Sequence, residues 1–326
     1  MQRWLVVGVV LVGCGNHGGG HGNPPDAPPT DAAIVDGVDV EDSGAPQDGG
    51  EGSCPADTWC LETSTATTDL KGVFALASDD VFAVGTGGTI LRRQGGAWTA
   101  MTSGTTANLR GVWAASATDA WAVGAGGTVL HWNGTAWAAA GPSTTTNFEA
   151  VWGAGANDVW AVGGQSAYHY TGTWTGYGLS GTAALDVHGT ASNDVWAASE
   201  GGYLKHWTGS AWSTLSTNGV CFDCFAIHAI SATNVWVAGS VPSKETGNYD
   251  GSTWTAHTVS ATLSSLWAGA ANDVWGVALH KIAHWTGSAW SVEAPAIITQ
   301  NLRAVSGVGT DVWIVGDAGT IAHRHP

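Results

Sequence analysis

The chain has 326 residues, with 48 glycines and 20 tryptophans, but only 11% of its residues are charged. Disordered chains lack aromatic residues, collagens need a strict glycine period, and membrane bundles need repeated apolar runs of about 20 residues, so the composition excludes these three classes. The net charge is −16, with ten Lys and Arg against 26 Asp and Glu, which argues against a nucleic-acid-binding protein, because phosphate contacts require a basic surface.

The first fourteen residues have the pattern of a secretion signal. Arg3 precedes an apolar run, Trp4 to Gly13, which is too short to span a bilayer as a mature helix. The last residues, Leu11-Val12-Gly13-Cys14, resemble the lipobox of bacterial lipoproteins, which implies cleavage before Cys14 and its acylation. Residues 1–13 are therefore expected to be a signal peptide, with an uncleaved anchor as the alternative.

The resemblance to lipoproteins also implies a cellular location. Gly15 follows Cys14, and the absence of Asp at this position favours the outer membrane over retention in the inner membrane. More than one acyl chain gives stable anchoring without a transmembrane helix. We therefore expect a bacterial envelope protein that contacts the membrane through its lipid anchor only.

Residues 14–53 are predicted to form the lipidated cysteine and a disordered tether. Between Gly15 and Ser53 there are ten Gly and five Pro, but no Phe, Trp or Tyr and no Lys or Arg. Such a segment cannot bury enough apolar surface to offset the entropy lost on ordering it.

Four cysteines follow Cys14, namely Cys54, Cys60, Cys221 and Cys224. An even number of cysteines in an oxidising compartment predicts one or two disulfides. Three pairings are possible, and we favour the local one, in which Cys54 bonds to Cys60 and Cys221 bonds to Cys224.

The rest of the chain consists of seven repeats of 36 to 40 residues. An aromatic residue marks each copy, at Phe82, Trp121, Trp160, Trp196, Trp236, Trp275 and Trp313. Each copy contains four short β-type segments, such as LRGVWA, DAWAVG, TVLHWN and TAWAAA, separated by Gly- and Asn-containing turns. Four strands per repeat of about 40 residues indicate a propeller blade, so we predict an all-β, seven-bladed β-propeller over residues 54–326.

The phase of the repeat predicts how the propeller closes. A fourth-strand tryptophan occurs in six copies, at Trp98, Trp137, Trp174, Trp212, Trp254 and Trp290, and the seventh would fall beyond Pro326. Trp59, however, lies 39 residues before Trp98. We therefore predict that an N-terminal strand completes the last blade, which removes the exposed sheet edge.

The pattern GVW, NDVWAVG, GGTI and HW over residues 59–326 resembles propeller repeats common in bacterial lipoproteins. It is more loosely similar to the Asp-box, photosystem-assembly-factor and tectonin propellers. The resemblance implies the fold but says little about function, since propellers host many activities.

Two repeated polar positions are interpreted as part of the architecture. An Asp precedes the Val-Trp or equivalent pair in six copies, at Asp80, Asp119, Asp158, Asp194, Asp273 and Asp311, with Asn234 in the fifth. We expect its side chain to bind the backbone of the adjacent turn.

The third strand carries His131, His169, His206, His284 and His323, with Arg92 and Asn248 in the other copies. Because these histidines lie in different blades, we expect them to be too far apart to share a metal ion.

Candidate functional residues are sought where the copies differ. On the innermost strands, Lys71, Arg110 and Arg303 come from consecutive blades of the closed ring, followed by Glu149. A basic arc beside an acid suits a carboxylate, an acidic sugar or an acidic loop of a partner. A solvated rim without a ligand is the alternative.

A second variable position lies deeper on the innermost strands. His188 and His228 replace an aromatic residue there and lie close in sequence to Cys221 and Cys224. A zinc site from these four residues is the weaker alternative to a disulfide with two hydrogen-bonded histidines, so no metal and no cofactor are predicted.

The sequence thus favours a non-enzymatic, monomeric binding or scaffold propeller that recognises an envelope or extracellular protein or glycan. A tectonin-like lectin is the first alternative, with Tyr168, Tyr170, Tyr177 and Tyr203 as sugar-stacking candidates. A sialidase-like glycoside hydrolase is the second, and its family pattern needs an arginine triad with a Tyr and Glu pair, which this sequence does not complete. No GxSxG, HExxH or phosphate-loop motif occurs, so no enzymatic activity is predicted.

Overall fold

The strands of the chain form seven four-stranded antiparallel sheets in a computed structural model, which describes residues 54–240 and 245–325. The predicted all-β, seven-bladed propeller is therefore confirmed. The predicted signal peptide, Cys14 and the tether lie outside the described residues. Within the described ranges, no helix is long and apolar enough to cross a membrane.

The first three blades follow one another along the chain, each numbered from its innermost strand outwards. Blade 1 contains β2 (Leu70–Ala77), β3 (Asp80–Gly85), β4 (Ile90–Gln94) and β5 (Ala97–Met101). Blade 2 contains β6 (Leu109–Ser116), β7 (Asp119–Gly124), β8 (Val129–Trp132) and β9 (Trp137–Ala139). Blade 3 contains β10 (Ala150–Gly155), β11 (Asp158–Gly163), β12 (Ser166–Tyr170) and β13 (Trp174–Gly178).

The next three blades repeat this order. Blade 4 contains β14 (Ala184–Ala191), β15 (Asp194–Ser199), β16 (Tyr203–Trp207) and β17 (Trp212–Ser216). Blade 5 contains β18 (Asp223–Ser231), β19 (Asn234–Ser240), β20 (Glu245–Tyr249) and β21 (Trp254–Thr258). Blade 6 contains β22 (Ser265–Ala270), β23 (Asp273–Ala278), β24 (Lys281–Trp285) and β25 (Trp290–Glu293).

Blade 7 joins the two ends of the described chain. It contains β26 (Leu302–Val308), β27 (Asp311–Gly316), β28 (Ile321–Arg324) and, as its outermost strand, β1 (Trp59–Leu61). Trp59 pairs with Arg324 in the ladder. The Trp59 indole is 7% exposed, and its Nε1 donates to Glu293 Oε1 at 2.6 Å. The prediction that an N-terminal strand closes the ring is confirmed.

The antiparallel order places the connections alternately on two faces of the propeller. The turns after each second strand and the loops between blades lie on one face, here called the mouth face. Four of these turns are short 3-10 helices, Thr86–Gly88, Ala125–Gly127, Glu200–Gly202 and Asp317–Gly319. The turns after each first and third strand lie on the opposite face, here called the return face.

The core between blades is built from one repeated aromatic contact. At six interfaces the second-strand aromatic residue meets the fourth-strand tryptophan of the next blade edge-on, with ring centroids 5.1 to 6.2 Å apart. At the remaining interface Trp196 contacts Tyr249 instead, at 5.6 Å. Edge-to-face packing adds to the large apolar area that each ring buries, so this contact explains why the tryptophans repeat with the blades.

The predicted disulfide pairing is also confirmed, since Cys54 is bonded to Cys60 and Cys221 to Cys224. The first bond lies at the start of β1, where Asp57 N–H also donates to the His325 carbonyl oxygen at 3.0 Å. The second lies in the loop that leads into β18 on the mouth face.

The closing strand yields a prediction about stability. Replacing Trp59 with Ala is expected to lower the free energy of unfolding by about 3 to 5 kcal/mol, because the indole packs against Trp275 and a cavity would remain. Urea unfolding of the full chain measures this change. Leu61→Ala is the matched control in the same strand, because Leu61 is 46% exposed and should cost less than about 1 kcal/mol. Equal stabilities of Trp59→Ala and the unaltered protein would show that β1 does not hold the ring.

Candidate functional site

The repeated Asp and His residues pair with each other inside the blades. In five blades the histidine Nε2 lies 2.7 to 3.1 Å from the aspartate Oδ1. In blade 1, Arg92 forms two hydrogen bonds of 2.8 Å to Asp80. In blade 5, Asn248 Nδ2 donates to Asn234 Oδ1 at 2.8 Å. The second-strand Asp or Asn therefore binds a side chain of the third strand. The predicted bond from this Asp to the backbone of the adjacent turn is wrong.

The physical reason for this correction is the cross-strand register. In blade 7, His323 pairs with Trp313 in the ladder, and its imidazole stacks on the Trp313 indole at 3.6 Å. The stacking directs His323 Nε2 to the carboxylate of Asp311, which lies two residues before Trp313 on β27. The sequence contained a signal in blade 5, where both positions change together, to Asn234 and Asn248. These pairs maintain the blades, so the candidate site is sought in the channel.

A central channel with a cavity of about 440 Å³ runs between the innermost strands β2, β6, β10, β14, β18, β22 and β26. Its walls carry two rings of side chains, one per blade. The ring at the mouth face consists of Lys71, Arg110, Glu149, Leu185, Phe225, Ser264 and Arg303. The deeper ring consists of Phe74, Trp113, Trp152, His188, His228, Trp267 and Ser306. The channel therefore brings together the predicted basic arc and its acid, Lys71, Arg110, Arg303 and Glu149.

Two of the predicted basic residues are held by aspartates at the mouth. Arg303 donates from Nε and Nη2 to Asp317 at 2.7 and 2.6 Å. Lys71 Nζ lies 3.1 Å from Asp69 and 3.3 Å from Asp317. The hydrogen bonds from Arg303 hold the pKa of Asp317 well below its usual range. Neither aspartate was identified from sequence, although Asp317 occupies a turn position that holds Thr86 in blade 1.

The third predicted basic residue pairs with the predicted acid. Arg110 Nη1 donates to Glu149 Oε1 across the boundary between blades 2 and 3. Burial raises the pKa of Glu149, and the charge of Arg110 partly offsets this effect. Three cations at the mouth thus face three carboxylates, so the predicted basic arc carries no net positive charge.

The deeper ring fixes the distance between neighbouring blades. Trp113 lies over Gly153 of the next blade, where an added Cβ would approach its Cη2 to 2.6 Å. At two ring positions without an aromatic carbocycle, Ser306 and His188, the next blade has Ala and a hydrogen bond. Ser306 Oγ accepts from the Ala75 N–H at 3.0 Å, and His188 Nδ1 accepts from the Ala229 N–H at 3.2 Å.

Blades 4 and 5 carry a group of titratable residues in the channel wall. The imidazoles of His188 and His228 contact each other with centroids 3.9 Å apart. Burial lowers the pKa of His188 to about 4 and that of His228 well below its usual range, so both are neutral at pH 7. The Cys and His zinc alternative is wrong, because Cys221 and Cys224 are bonded to each other. Among the described residues no group of three or more His, Cys, Asp or Glu is suited to a metal.

Asp186 also lines the channel, and it was not among the residues predicted from the sequence. Its Oδ1 accepts from the Val187 N–H at 2.8 Å, and its Oδ2 accepts from the Ile227 N–H at 2.9 Å. Burial nevertheless raises its pKa to about 7. The signal was present in the alignment of the repeats, since the same position holds Gly72, Gly111, Ala150, Ala226, Ser265 and Ala304 in the other blades.

Three large apolar side chains are exposed on the mouth face of blades 4 to 6. Phe222 is 66% exposed in the loop before β18, Leu279 is 61% exposed after β23, and Tyr203 is 45% exposed at the start of β16. Leu185 and Phe225 continue this apolar region into the mouth ring. In the mouth ring the charged pairs occupy blades 7, 1, 2 and 3, whereas the ring residues of blades 4 to 6, Leu185, Phe225 and Ser264, are uncharged.

The other tyrosines proposed for sugar stacking pack within the blades. Tyr168 donates its hydroxyl to Thr144 Oγ1 at 3.0 Å. Tyr170 contacts the Trp121 and Trp174 rings, and Tyr177 contacts Trp160 and Trp207. Of the four tyrosine candidates, only Tyr203 is an exposed side chain.

Comparison with known proteins supports the fold. No protein-family model and no curated protein matches the chain. A structure described as YCF48 bound to D1 peptide is 14% identical with a TM-score of 0.69, covering 84% of this chain and 98% of that one. Virginiamycin B lyase from Staphylococcus aureus is 13% identical with a TM-score of 0.72, covering 82% and 99%. The WD40 propeller domain of Doa1 is 14% identical with a TM-score of 0.67, covering 81% and 96%. At these identities the likeness shows the propeller fold alone.

The buried carboxyl of Asp186 yields a prediction about pH. Between pH 4 and 7 the folded protein keeps a proton on Asp186 that the unfolded chain has lost, so stability falls as pH rises through this range. Asp186→Asn removes this contribution. The unfolding free energy of the variant, relative to the unaltered protein, should therefore increase by about 3 kcal/mol from pH 4 to pH 8.

Urea unfolding at several pH values measures this difference. His188 and His228 titrate in both proteins, so their opposite contribution cancels in the comparison. Glu200→Gln, which removes an exposed carboxylate from the same blade, should give a profile parallel to that of the unaltered protein. Parallel profiles for Asp186→Asn as well would contradict the assignment.

Proposed function

We propose that this protein is a non-enzymatic binding module that recognises a segment of a protein partner at the mouth face of its channel. The observation that carries the proposal is the division of the mouth ring into an ion-paired half and an uncharged half, with large exposed apolar side chains on the mouth face of the uncharged half. Phe222, Leu279 and Tyr203 present large apolar surfaces to solvent in three neighbouring blades. Large exposed apolar side chains grouped on one face suit an interaction site.

The similar structures agree with this proposal without deciding it. They include a propeller described with a bound peptide and a WD40 propeller, but also a lyase, and a fold by itself does not determine activity. Binding is favoured over catalysis because the charged mouth residues Lys71, Arg110 and Arg303 are engaged with carboxylates. A lectin function has less support, because three of its four candidate tyrosines pack within the blades.

The location that we propose is the bacterial cell envelope, with the chain anchored through acylated Cys14, in keeping with the lipobox-like sequence. The two disulfides, Cys54–Cys60 and Cys221–Cys224, suit an oxidising compartment.

Metabolic labelling with palmitate in a bacterial host tests the proposed anchor. The unaltered chain should carry the label and sediment with membranes, whereas Cys14→Ser should lose the label, because the thiol that is acylated is gone. Cys60→Ser is the matched control and should stay labelled. Label on the Cys14→Ser chain, or none on the unaltered chain, would exclude this anchor.

A selection of random 12-residue peptides on the full chain tests the proposed binding site. Affinities of the selected peptides are then measured for Phe222→Ser and for Ser264→Arg, which places a bulky cation at the mouth ring. Both variants should bind at least about tenfold more weakly, because burial of a phenyl group contributes about 1.5 to 3 kcal/mol and the arginine obstructs the mouth.

Ser210→Arg on the return face is the control and should bind within about twofold of the unaltered protein, since Ser210 lies in an exposed turn far from the mouth ring. Peptides whose affinity falls only with Ser210→Arg would place binding on the return face. A selection that yields no binding peptide would contradict peptide recognition altogether.

A further inference from the structure

The charges of the channel leave one carboxylate without a counterion. Asp69, Glu149 and Asp317 at the mouth all pair with Lys or Arg. Asp186 lies beneath them in the wall of blade 4, and among the described residues it has hydrogen bonds from backbone N–H groups but no ion pair. Burial of an unpaired carboxylate costs free energy, so its presence calls for a reason other than stability.

The fold does not need a carboxylate at this position. Ser265 occupies the equivalent place in blade 6, and its Oγ accepts the Val305 N–H of blade 7 at 3.2 Å. Asp186 Oδ2 makes the same contact with the Ile227 N–H of blade 5 at 2.9 Å. A neutral hydroxyl therefore suffices to connect two neighbouring blades, and the negative charge of Asp186 is additional to that role.

The surroundings of Asp186 suit an organic cation with an apolar stem. Leu185 and Phe225 form the adjacent part of the mouth ring, and Trp152 and the two histidines line the same cavity. Aromatic faces attract cations, and the methylene stems of Lys and Arg pack against apolar surfaces. The net charge of −16 would also attract a cationic partner.

We propose that the channel binds a lysine or arginine side chain of the partner segment, with the cation paired to Asp186 and the stem lying against Leu185 and Phe225. This inference rests on the proposed function, and it reverses the polarity expected from the sequence, where Lys71, Arg110 and Arg303 suggested an acidic ligand. The reversal follows from the charge balance, because those three cations already face three carboxylates.

The proposal entails a dependence of binding on pH. The cation requires ionised Asp186, whose pKa burial raises to about 7, so affinity should increase from pH 5.5 to pH 8. The other titratable groups near Asp186 are His188 on β14 and His228 on β18, with Glu149 paired to Arg110 at the mouth. Burial lowers the pKa of His188 to about 4 and that of His228 well below its usual range, which opposes a positive charge on either histidine.

The test uses acetylated and amidated Gly-Ser peptides with a central Leu-X-Leu, in which X is lysine, norleucine or glutamate. Norleucine keeps the apolar stem of lysine and removes its charge. Calorimetric titration of the full chain at pH 8 should give at least tenfold tighter binding of the lysine peptide than of the norleucine peptide. At pH 5.5 the two affinities should agree within about threefold, because Asp186 is then protonated.

Two substitutions keep the test independent of folding. Asp186→Ser reproduces the hydrogen bond that Ser265 makes, and Asp186→Asn keeps the side-chain shape. Both should abolish the preference for lysine over norleucine at pH 8, whereas Glu200→Gln, which removes one negative charge elsewhere in blade 4, should retain it.

Several outcomes would overturn the proposal. Equal affinities of the lysine and norleucine peptides at pH 8, or tightest binding of the glutamate peptide, would contradict it. So would the absence of binding by any of the three peptides. A Glu200→Gln variant that loses the preference for lysine as fully as the Asp186 variants would also contradict it. Peptides from the random selection that bind the mouth without a basic residue would refute this inference while leaving the proposed function intact.

Discussion

The edge-on contact between a second-strand aromatic ring and the fourth-strand tryptophan of the next blade is the interaction on which the structure depends. It recurs at six of the seven interfaces and includes the closing contact between Trp275 and Trp59. Each blade buries its aromatic residue only against a neighbour, so no blade is complete alone and the ring must close. The low charge content of the chain is compatible with solubility because this closure removes the tryptophans from solvent.

Much of the fold could be predicted because it is repeated. Seven copies indicated seven blades, and the absence of a seventh fourth-strand tryptophan before Pro326 indicated the role of Trp59. The local pairing of the cysteines was also favoured from the sequence. Side-chain direction was harder to predict. The Asp before each Val-Trp or equivalent pair was assigned to its turn, yet stacking of histidine on tryptophan brings the imidazole to that carboxylate, which only the cross-strand register could show.

The candidate site was predicted in position but not in charge. Lys71, Arg110, Arg303 and Glu149 do line the mouth of the channel, as their place on the innermost strands suggested. Asp69 and Asp317 stand in connecting segments at opposite ends of the propeller sequence, and folding brings both carboxylates to Lys71. Comparison of one strand position across the repeats does not show which residues of other segments form ion pairs with the side chain at that position. The alignment of the repeats distinguishes Asp186, but only the structure shows that no cationic side chain among the described residues pairs with it.

The path of the chain through blade 7 has a practical consequence. β1 enters and β28 leaves at the return face, where Asp57 bonds to His325 and Arg324. Residues 54 and 325 therefore both lie on the side away from the mouth ring. Coupling the protein to a sensor surface next to residue 54 or residue 325 should leave the channel mouth accessible, and two reporters at these two residues would lie close enough to report on opening of the ring.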